Sequence, residues 1–184
     1  MNTPFFSIIT PSYNPGFRLQ KTIGSILGQT FSDYEVIVKD AGSSDGSLDG
    51  LSADGRIRLI RQKDSGIYDG MNQAVAAARG EYLYFLNCGD VLFSPDVLEK
   101  TAAAIRKEEE LSAKQPGERK AGGWIFYGDV LEEKTGQRVA AKPEMTHFAM
   151  YRNLPCHQAC FYSRDLFEIR AFDLQYQVRA DYEH

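Results

Sequence analysis

The sequence predicts an α/β domain in which helices cover both faces of a mostly parallel sheet. Short apolar runs typical of buried strands alternate with segments of helical periodicity. Polar, glycine-rich loops follow several of the strand-like runs. The chain has 184 residues, of which 43 % are hydrophobic and 12 % aromatic. That composition supplies enough apolar material for the core of one domain.

The amino-terminal part predicts a strand, a helix and two further strands. Residues 5–10 form a short apolar run that ends at Pro11, which is typical of a buried strand. After a turn at Asn14, apolar residues recur with helical spacing. These residues are Leu19, Ile23, Ile26 and Leu27. Residues 34–38 predict a second strand and residues 56–61 a third.

The central part predicts another helix, a strand and a further helix. Apolar spacing predicts a helix over residues 67–78, and Gly80 is expected to stop it. Residues 81–86 predict a fourth strand. Ser94 is expected to cap a helix that runs to about Arg106, with a proline at its first position.

The last third is less regular. Residues 107–122 combine many charges with Pro and Gly, which predicts a solvated helix end and a mobile loop. Residues 124–127 and 158–162 predict two more strands. We find no internal repeat and no low-complexity segment, so we expect a single domain over residues 1–184.

Composition and charge exclude several classes of protein. The formal net charge of -4 and the pI near 5.4 argue against a nucleic-acid partner. No apolar run approaches the roughly 18 residues needed to span a bilayer, and the three cysteines form no even disulfide framework. We therefore expect a cytoplasmic location. Cys156, His157 and Cys160 lack a fourth ligand for zinc, which is disfavoured.

Candidate site residues cluster after three of the predicted strands, at residues 10–14, 40–47 and 87–90. In parallel α/β sheets, ligands bind at these carboxyl ends. Asp40 is placed to accept hydrogen bonds from a base or ribose, although its position fits a loop-capping aspartate equally well. Asp90 is placed to hold a hard divalent cation, provided that substrate phosphates and waters complete the coordination.

Together these segments resemble the family 2 glycosyltransferases, inverting enzymes of the Rossmann-like GT-A fold that use nucleotide-activated sugars. Four segments carry the resemblance, in the family's order and spacing. They are Ser-Ile-Ile-Thr-Pro-Ser-Tyr-Asn (7–14), Val-Lys-Asp-Ala-Gly-Ser-Ser-Asp-Gly-Ser (38–47), Asp-Ser-Gly-Ile-Tyr-Asp-Gly-Met-Asn (64–72) and Gly-Glu-Tyr-Leu-Tyr-Phe-Leu-Asn-Cys-Gly-Asp (80–90).

The resemblance implies a set of residues that bind the donor. They are Thr10, Pro11, Tyr13, Asp40, Asp64, Asn72, Asn87 and Asp129. It also implies Mn²⁺ or Mg²⁺ as a cofactor, held by Asp90. The sequence departs from the common family pattern at Ala41, where a second Asp is usual, and at Met71, where many members carry Arg. The usual Asp-x-Asp motif is replaced by Asn-Cys-Gly at residues 87–89.

The later segments are similar to a bacterial polysaccharide-synthesis branch of the family. By this similarity, His157 and Gln158 lie on the acceptor side, although an ordinary buried histidine is an equal alternative for His157. Asp181 matches the aspartate that acts as catalytic base, with Ala180 in place of the usual Glu. Residues 1–106 would then form the nucleotide-binding half and residues 123–184 an incomplete acceptor-side half.

The function that follows is inverting transfer of a sugar from a UDP- or GDP-type donor to a glycan or lipid-linked acceptor, in cell-surface polysaccharide synthesis. The alternatives are a sugar-phosphate nucleotidyltransferase and a catalytically silent nucleotide-sugar-binding domain. Because Asp181 lies three residues from the last residue, we expect the chain to be truncated at its carboxyl end. The missing segments are then the candidates for peripheral association with the inner face of the membrane.

Overall fold

The computed structural model describes residues 3–114, 123–142 and 155–176. The strands are β1 (Phe6–Ser12), β2 (Tyr34–Asp40), β3 (Ile57–Arg61), β4 (Tyr82–Phe85), β5 (Ile125–Tyr127), β6 (Val130–Leu131), β7 (Arg138–Val139) and β8 (Cys160–Ser163). The helices are α1 (Arg18–Leu27), α2 (Ile67–Val75), α3 (Val97–Ala113) and α4 (Asp165–Ile169). Short 3₁₀ turns lie at Leu51–Ala53 and His157–Ala159.

A six-stranded sheet forms the centre of the molecule, in the order β3-β2-β1-β4-β8-β5. The first four of these strands are parallel to one another. Strand β8 runs antiparallel to both of its neighbours, β4 and β5. Strands β6 and β7 pair separately as a small antiparallel hairpin. The predicted mostly parallel sheet is therefore confirmed.

The helices cover both faces of this sheet, as predicted. Alternate residues of each strand point to opposite faces, so Ile8 and Ile9 belong to different apolar clusters. The cluster of Ile8 includes the buried residues of α1 and α3. The cluster of Ile9 includes Met71 and Ala74 of α2 and side chains of α4. None of the helices in the described ranges is both long and apolar enough to cross a membrane.

Helix α2 ends at Val75, so the prediction that Gly80 stops it is wrong. Gly80 serves a different purpose, since it packs directly against β1. A Cβ atom at residue 80 would lie 2.4 Å from the backbone nitrogen of Ser7. Gly80 N–H also donates to Ser7 Oγ at 2.8 Å. A glycine is thus required here by close approach of two backbones.

Helix α3 differs from its prediction at both ends. Asp96 rather than Ser94 occupies the N-cap position. The Ser94 hydroxyl donates to Asp96 Oδ1 at 2.5 Å, and the Ser94 carbonyl accepts the Gln29 side chain at 2.8 Å. The helix continues past Arg106 to Ala113, in keeping with the solvated helix end predicted from residue 107, and residues 115–122 of the predicted loop lie outside the described residues. A hydrogen bond from Tyr82 Oη to Glu109 Oε1, 2.7 Å long, anchors this extension.

Candidate functional site

Two loops at the carboxyl ends of β1 and β2 are joined into one unit. The Asn14 N–H donates to Ser43 Oγ at 2.8 Å, and Asn14 Oδ1 accepts from the Ser44 N–H at 2.9 Å. The Gly16 N–H donates to Asp45 Oδ2 at 2.8 Å. Side-chain to backbone bonds of this kind fix loop backbones that have no regular ladder. The two segments predicted to border a nucleotide base therefore hold each other in place.

Asp40 is fully buried at the end of β2 and anchors the loop that follows it. Its Oδ2 accepts the N–H groups of Gly42 and Ser43, both at 2.9 Å, and its Oδ1 accepts Ser43 Oγ at 2.5 Å. The loop-capping role that the sequence left open is thus realised. A carboxylate offers about four acceptor positions, and these bonds use three of them, while the side chain has no surface exposed to solvent.

Arg61 borders Asp40 and was missed by the sequence reasoning. It ends β3 directly opposite Asp40 in the parallel register. Its Nε lies 3.7 Å from Asp40 Oδ2, and its Nη2 donates to the carbonyl of Ser43 at 3.1 Å. The side chain is 59 % exposed, so further guanidinium N–H groups face solvent at this rim. A basic residue that closes a predicted strand beside a site loop is the signal that could have identified it.

Thr10, Pro11 and Tyr13 follow one another at the end of β1 but differ in exposure. Thr10 is buried, and its Oγ1 has no hydrogen-bond partner among the described residues. The Pro11 carbonyl accepts the Cys88 thiol at 3.2 Å. Tyr13 is 68 % exposed on a backbone held by the joined loops. Of the three, Tyr13 presents a ring that a planar ligand can stack on.

Asp64 lies just before α2 and is held by a residue that sequence reasoning did not select. Lys39 Nζ lies 2.7 Å from Asp64 Oδ2 and 2.6 Å from the carbonyl of Gln62. The Lys39 side chain is fully buried. Met71, where many family members carry Arg, is a buried residue of α2 and offers no surface to a ligand. A lysine that directly follows the apolar residues Val36, Ile37 and Val38 of a predicted strand was the available signal for Lys39.

The loop that follows β4 is tied to α1 through its backbone. Thr22 Oγ1 donates to the Asp90 carbonyl at 2.8 Å and accepts the Gly89 N–H at 2.9 Å. These contacts leave both predicted ligand side chains, Asn87 and Asp90, unrestrained by Thr22. Asn87 Oδ1 is buried and has no hydrogen-bond partner among the described residues.

Asp90 and Gln158, predicted from separate motifs, meet in the structure. The Gln158 side chain lies close enough to the Asp90 carboxyl to affect its pKa. Loss of hydration raises the pKa of this carboxyl above its ordinary value, and the nearby Gln158 amide and the charge of Lys21 offset only part of that effect. The residue predicted to hold the metal, Asp90, and a residue predicted to lie on the acceptor side, Gln158, thus belong to one cluster.

The described residues contain no group of three His, Cys, Asp or Glu side chains that could enclose a metal ion. Asp90 supplies one carboxylate, and Asn87 adds an unpartnered amide oxygen close by in the sequence. Oxygen ligands of this kind suit Mg²⁺ or Mn²⁺, which often keep one or two carboxylates together with waters and substrate phosphates. The residues therefore fit an ion that is shared with a diphosphate, and they do not fit a closed protein site.

His157 is packed among aromatic rings next to Gln158. Its ring stacks on that of Phe85, with centroids 5.3 Å apart, and its Nδ1 lies 3.4 Å from Tyr162 Oη. The Gln158 carbonyl accepts the hydroxyl of Tyr84 at 2.7 Å. His157 is partly buried, and its aromatic packing is compatible with both alternatives that the sequence left open.

Asp129 is engaged by its own hairpin. Arg138 forms an ion pair with it, and the Ala141 N–H donates to its Oδ1 at 2.7 Å. The bond from Ala141 and that from Arg138 lower the pKa of the Asp129 carboxyl. Asp129 thus holds the β6–β7 hairpin, and a donor contact would have to share the carboxylate. Asp181, the predicted catalytic base, lies outside the described residues.

In a parallel α/β sheet, ligands, nucleotides among them, bind at the carboxyl ends of the strands, where the polar loops of this chain lie. The chain belongs to glycosyl transferase family 2, whose sequence model matches residues 7–168. The predicted glycosyltransferase is thereby confirmed at the level of the family. The PGL/p-HBAD biosynthesis glycosyltransferase of Mycobacterium tuberculosis is 35 % identical, over 100 % of this chain and 69 % of its own length.

Solved structures share the fold at low sequence identity. Staphylococcus aureus TarS (residues 1–349) matches with a TM-score of 0.75 and 20 % identity, over 96 % of this chain and 52 % of that chain. The mannosyltransferase PcManGT of Pyrobaculum calidifontis matches with a TM-score of 0.63 and 16 % identity, over 94 % of this chain and 48 % of that chain. The chain thus spans about half the length of each of these two solved chains.

Proposed function

We propose that this chain is the donor-binding and catalytic part of an inverting glycosyltransferase. It moves a sugar from a UDP- or GDP-type donor to a glycan or lipid-linked acceptor in the synthesis of cell-surface polysaccharide. The observation that carries the proposal is the joined pair of loops around Asp40 and Tyr13, because it forms a rigid nucleoside subsite before any ligand arrives. Preorganised subsites bind with little ordering cost.

Three side chains recognise the nucleoside. Tyr13 stacks on the base, and the fourth acceptor position of Asp40 takes one N–H of the base after a small movement of the side chains that cover it. The free guanidinium N–H groups of Arg61 donate to base or ribose oxygens at the same rim. TarS has been solved with UDP and with UDP-GlcNAc, and PcManGT with GDP-Man and Mn²⁺, so relatives of this fold support both donor types.

The diphosphate lies toward Asp90 at the end of β4. The residues there fit Mn²⁺ or Mg²⁺, which when bound supplies positive charge against the departing diphosphate. Asp181 takes the proton of the acceptor hydroxyl as its oxygen bonds to the anomeric carbon, and the bond from that carbon to the diphosphate breaks on the opposite side. Gln158 lies beside the Asp90 carboxyl and so links the two halves of the reaction.

Thermal shift with UDP-, GDP- and dTDP-sugars, with and without Mn²⁺, tests the donor assignment. A ligand at about 100 times its Kd adds about 2.7 kcal/mol to the free energy of unfolding, so a true donor raises Tm clearly. Tyr13→Ala and Arg61→Ala should reduce the shift, whereas Tyr176→Ala, an exposed tyrosine elsewhere, should not. Release of pyrophosphate from a nucleoside triphosphate in the presence of a sugar 1-phosphate would instead assign a nucleotidyltransferase. Absence of any shift would contradict the proposal.

A further inference from the structure

Asn72 uses its side-chain amide on the backbone of a residue far along the chain. Its Nδ2 donates to the Phe172 carbonyl at 2.9 Å, and its Oδ1 accepts the Phe172 N–H at 3.0 Å. One donor and one acceptor in the same plane are what an asparagine side chain offers and what one peptide backbone requires. The amide therefore forms a two-bond clamp between α2 and the segment that follows α4.

The Phe172 side chain adds aromatic packing to the two hydrogen bonds of this clamp. It is 2 % exposed, and its ring centroid lies 5.4 Å from that of Tyr68, one helical turn before Asn72. It lies equally close to Phe85, the last residue of β4, and 6.1 Å from His157. Phe172 thus joins the helix on the donor side, the strand that leads to Asp90 and the turn that carries His157.

We infer that Asn72 is a positioning residue for catalysis and that it acts through Phe172. The chain continues from Phe172 toward Asp181, nine residues further on. Fixing both the backbone and the ring of Phe172 sets the point from which that segment starts. The inference rests on the proposed function, in which Asp181 is the base. It replaces the donor contact that the family resemblance implied for Asn72.

Asn72→Ala and Asn72→Asp test the inference. The aspartate keeps an acceptor for the Phe172 N–H but faces the carbonyl with a second oxygen, so both variants lose the clamp. The rate constant for acceptor-free hydrolysis of the nucleotide sugar should fall by about 10- to 100-fold, because small misplacements of a catalytic group cost that much. The Kd for UDP, or for GDP if the wild type binds GDP, should stay within about twofold. Gln175→Ala, an exposed amide in the same segment, should change neither quantity.

Hydrogen exchange of the Phe172 amide in the nucleotide-free protein gives a second readout. The wild type should protect this amide, and Asn72→Ala should lose the protection without a change in the exchange of β1, whereas Asn72→Asp, which keeps the acceptor, should retain part of it. A Kd that rises as much as the rate falls would make Asn72 a donor contact and overturn the inference. Unchanged exchange and an unchanged rate would overturn it as well. A wild type that binds neither UDP nor GDP would refute the proposed function, while the exchange measurement would still decide the clamp.

Discussion

The hydroxyl of Ser7 lies 2.7 Å from Glu35 Oε1, at the amino ends of β1 and β2. Arg79 adds its backbone N–H at 2.7 Å and its guanidinium Nη2 at 2.8 Å to the same carboxylate. The Gly80 N–H donates to the same Ser7 hydroxyl. This network lies at the amino ends of the strands, at the end of the sheet opposite the candidate site. Its members should therefore affect the stability of the fold rather than ligand affinity.

Glu35→Gln should destabilise the protein in a pH-dependent way. Burial alone would raise the pKa of the Glu35 carboxyl, but the bonds from Ser7 and Arg79 outweigh it, so the pKa lies below its ordinary value. The ionised form thus stabilises the fold above the unfolded pKa of about 4.3, and this contribution is lost as the pH falls through the folded pKa. Urea unfolding should show a loss of about 1.5 to 3 kcal/mol at pH 7, because a charged hydrogen-bond partner is removed.

The difference between wild type and Glu35→Gln should shrink as the pH is lowered below about 4, toward the folded pKa. Glu110→Gln, at an exposed position of α3, serves as the control and should show no such change. A loss that stayed constant from pH 7 to pH 3 would mean that the charge of Glu35 does not contribute.

Gly80→Ala should be strongly destabilising, because the added methyl group would meet the backbone of β1 at 2.4 Å. Overpacking of this kind usually costs about 1 to 3 kcal/mol, and a backbone that cannot move costs more. Gly24→Ala, in the open middle of α1, should stabilise by about 0.5 to 1 kcal/mol. Urea midpoints that move in opposite directions would support this assignment, and a neutral Gly80→Ala would refute it.

Lys39→Met should leave the Asp64 carboxylate without its buried partner. Removing one member of a buried pair typically costs about 3 to 5 kcal/mol. Lys100→Met removes the exposed pair with Asp96 on α3 and should cost no more than about 0.5 kcal/mol. Denaturant unfolding of both variants compares the two sites directly. If the two losses were equal, the Lys39–Asp64 pair would not behave as a buried one.

Asp181→Asn should stop sugar transfer and leave donor binding intact. The substitution keeps the size of the side chain and removes the base, an effect of about 100- to 10,000-fold for general base catalysis. Single-turnover transfer and calorimetric titration with the donor would separate the two quantities. Glu183→Gln, at the neighbouring acid two residues on, is the matched control. Equal losses of rate and affinity would argue against Asp181 as base.

Local patterns predicted the fold well because they arise from neighbouring residues. The helical spacing of Leu19, Ile23 and Ile26 identified α1, and these side chains do face the sheet. The strands that pair with β8 could not be predicted from local patterns. Its neighbours, β4 and β5, are chosen by packing such as that of Phe161 on Tyr84, with ring centroids 4.2 Å apart.

The site was predicted as a set of loops but not as a set of contacts. The motif order located Asp40 and Asp90, because strand ends define where such loops lie. It did not reveal that the oxygens of Asp40 are largely occupied by its own loop. Nor did it reveal that Asn72 is bonded to Phe172, since that partner lies 100 residues away in the sequence. Contacts of such long range depend on the assembled sheet.

Strand β8 lies between β4 and β5, so the sheet combines strands from the first and the last parts of the chain. A fragment that ended at residue 106 would leave Tyr82–Phe85 as an uncovered edge, with the ring of Tyr84 stripped of Phe161. Such an edge recruits strands from other molecules, so the fragment should aggregate on its own. Chimaeras with related proteins should therefore exchange single loops, because a protein joined from two halves would have to form a new β4–β8 pairing.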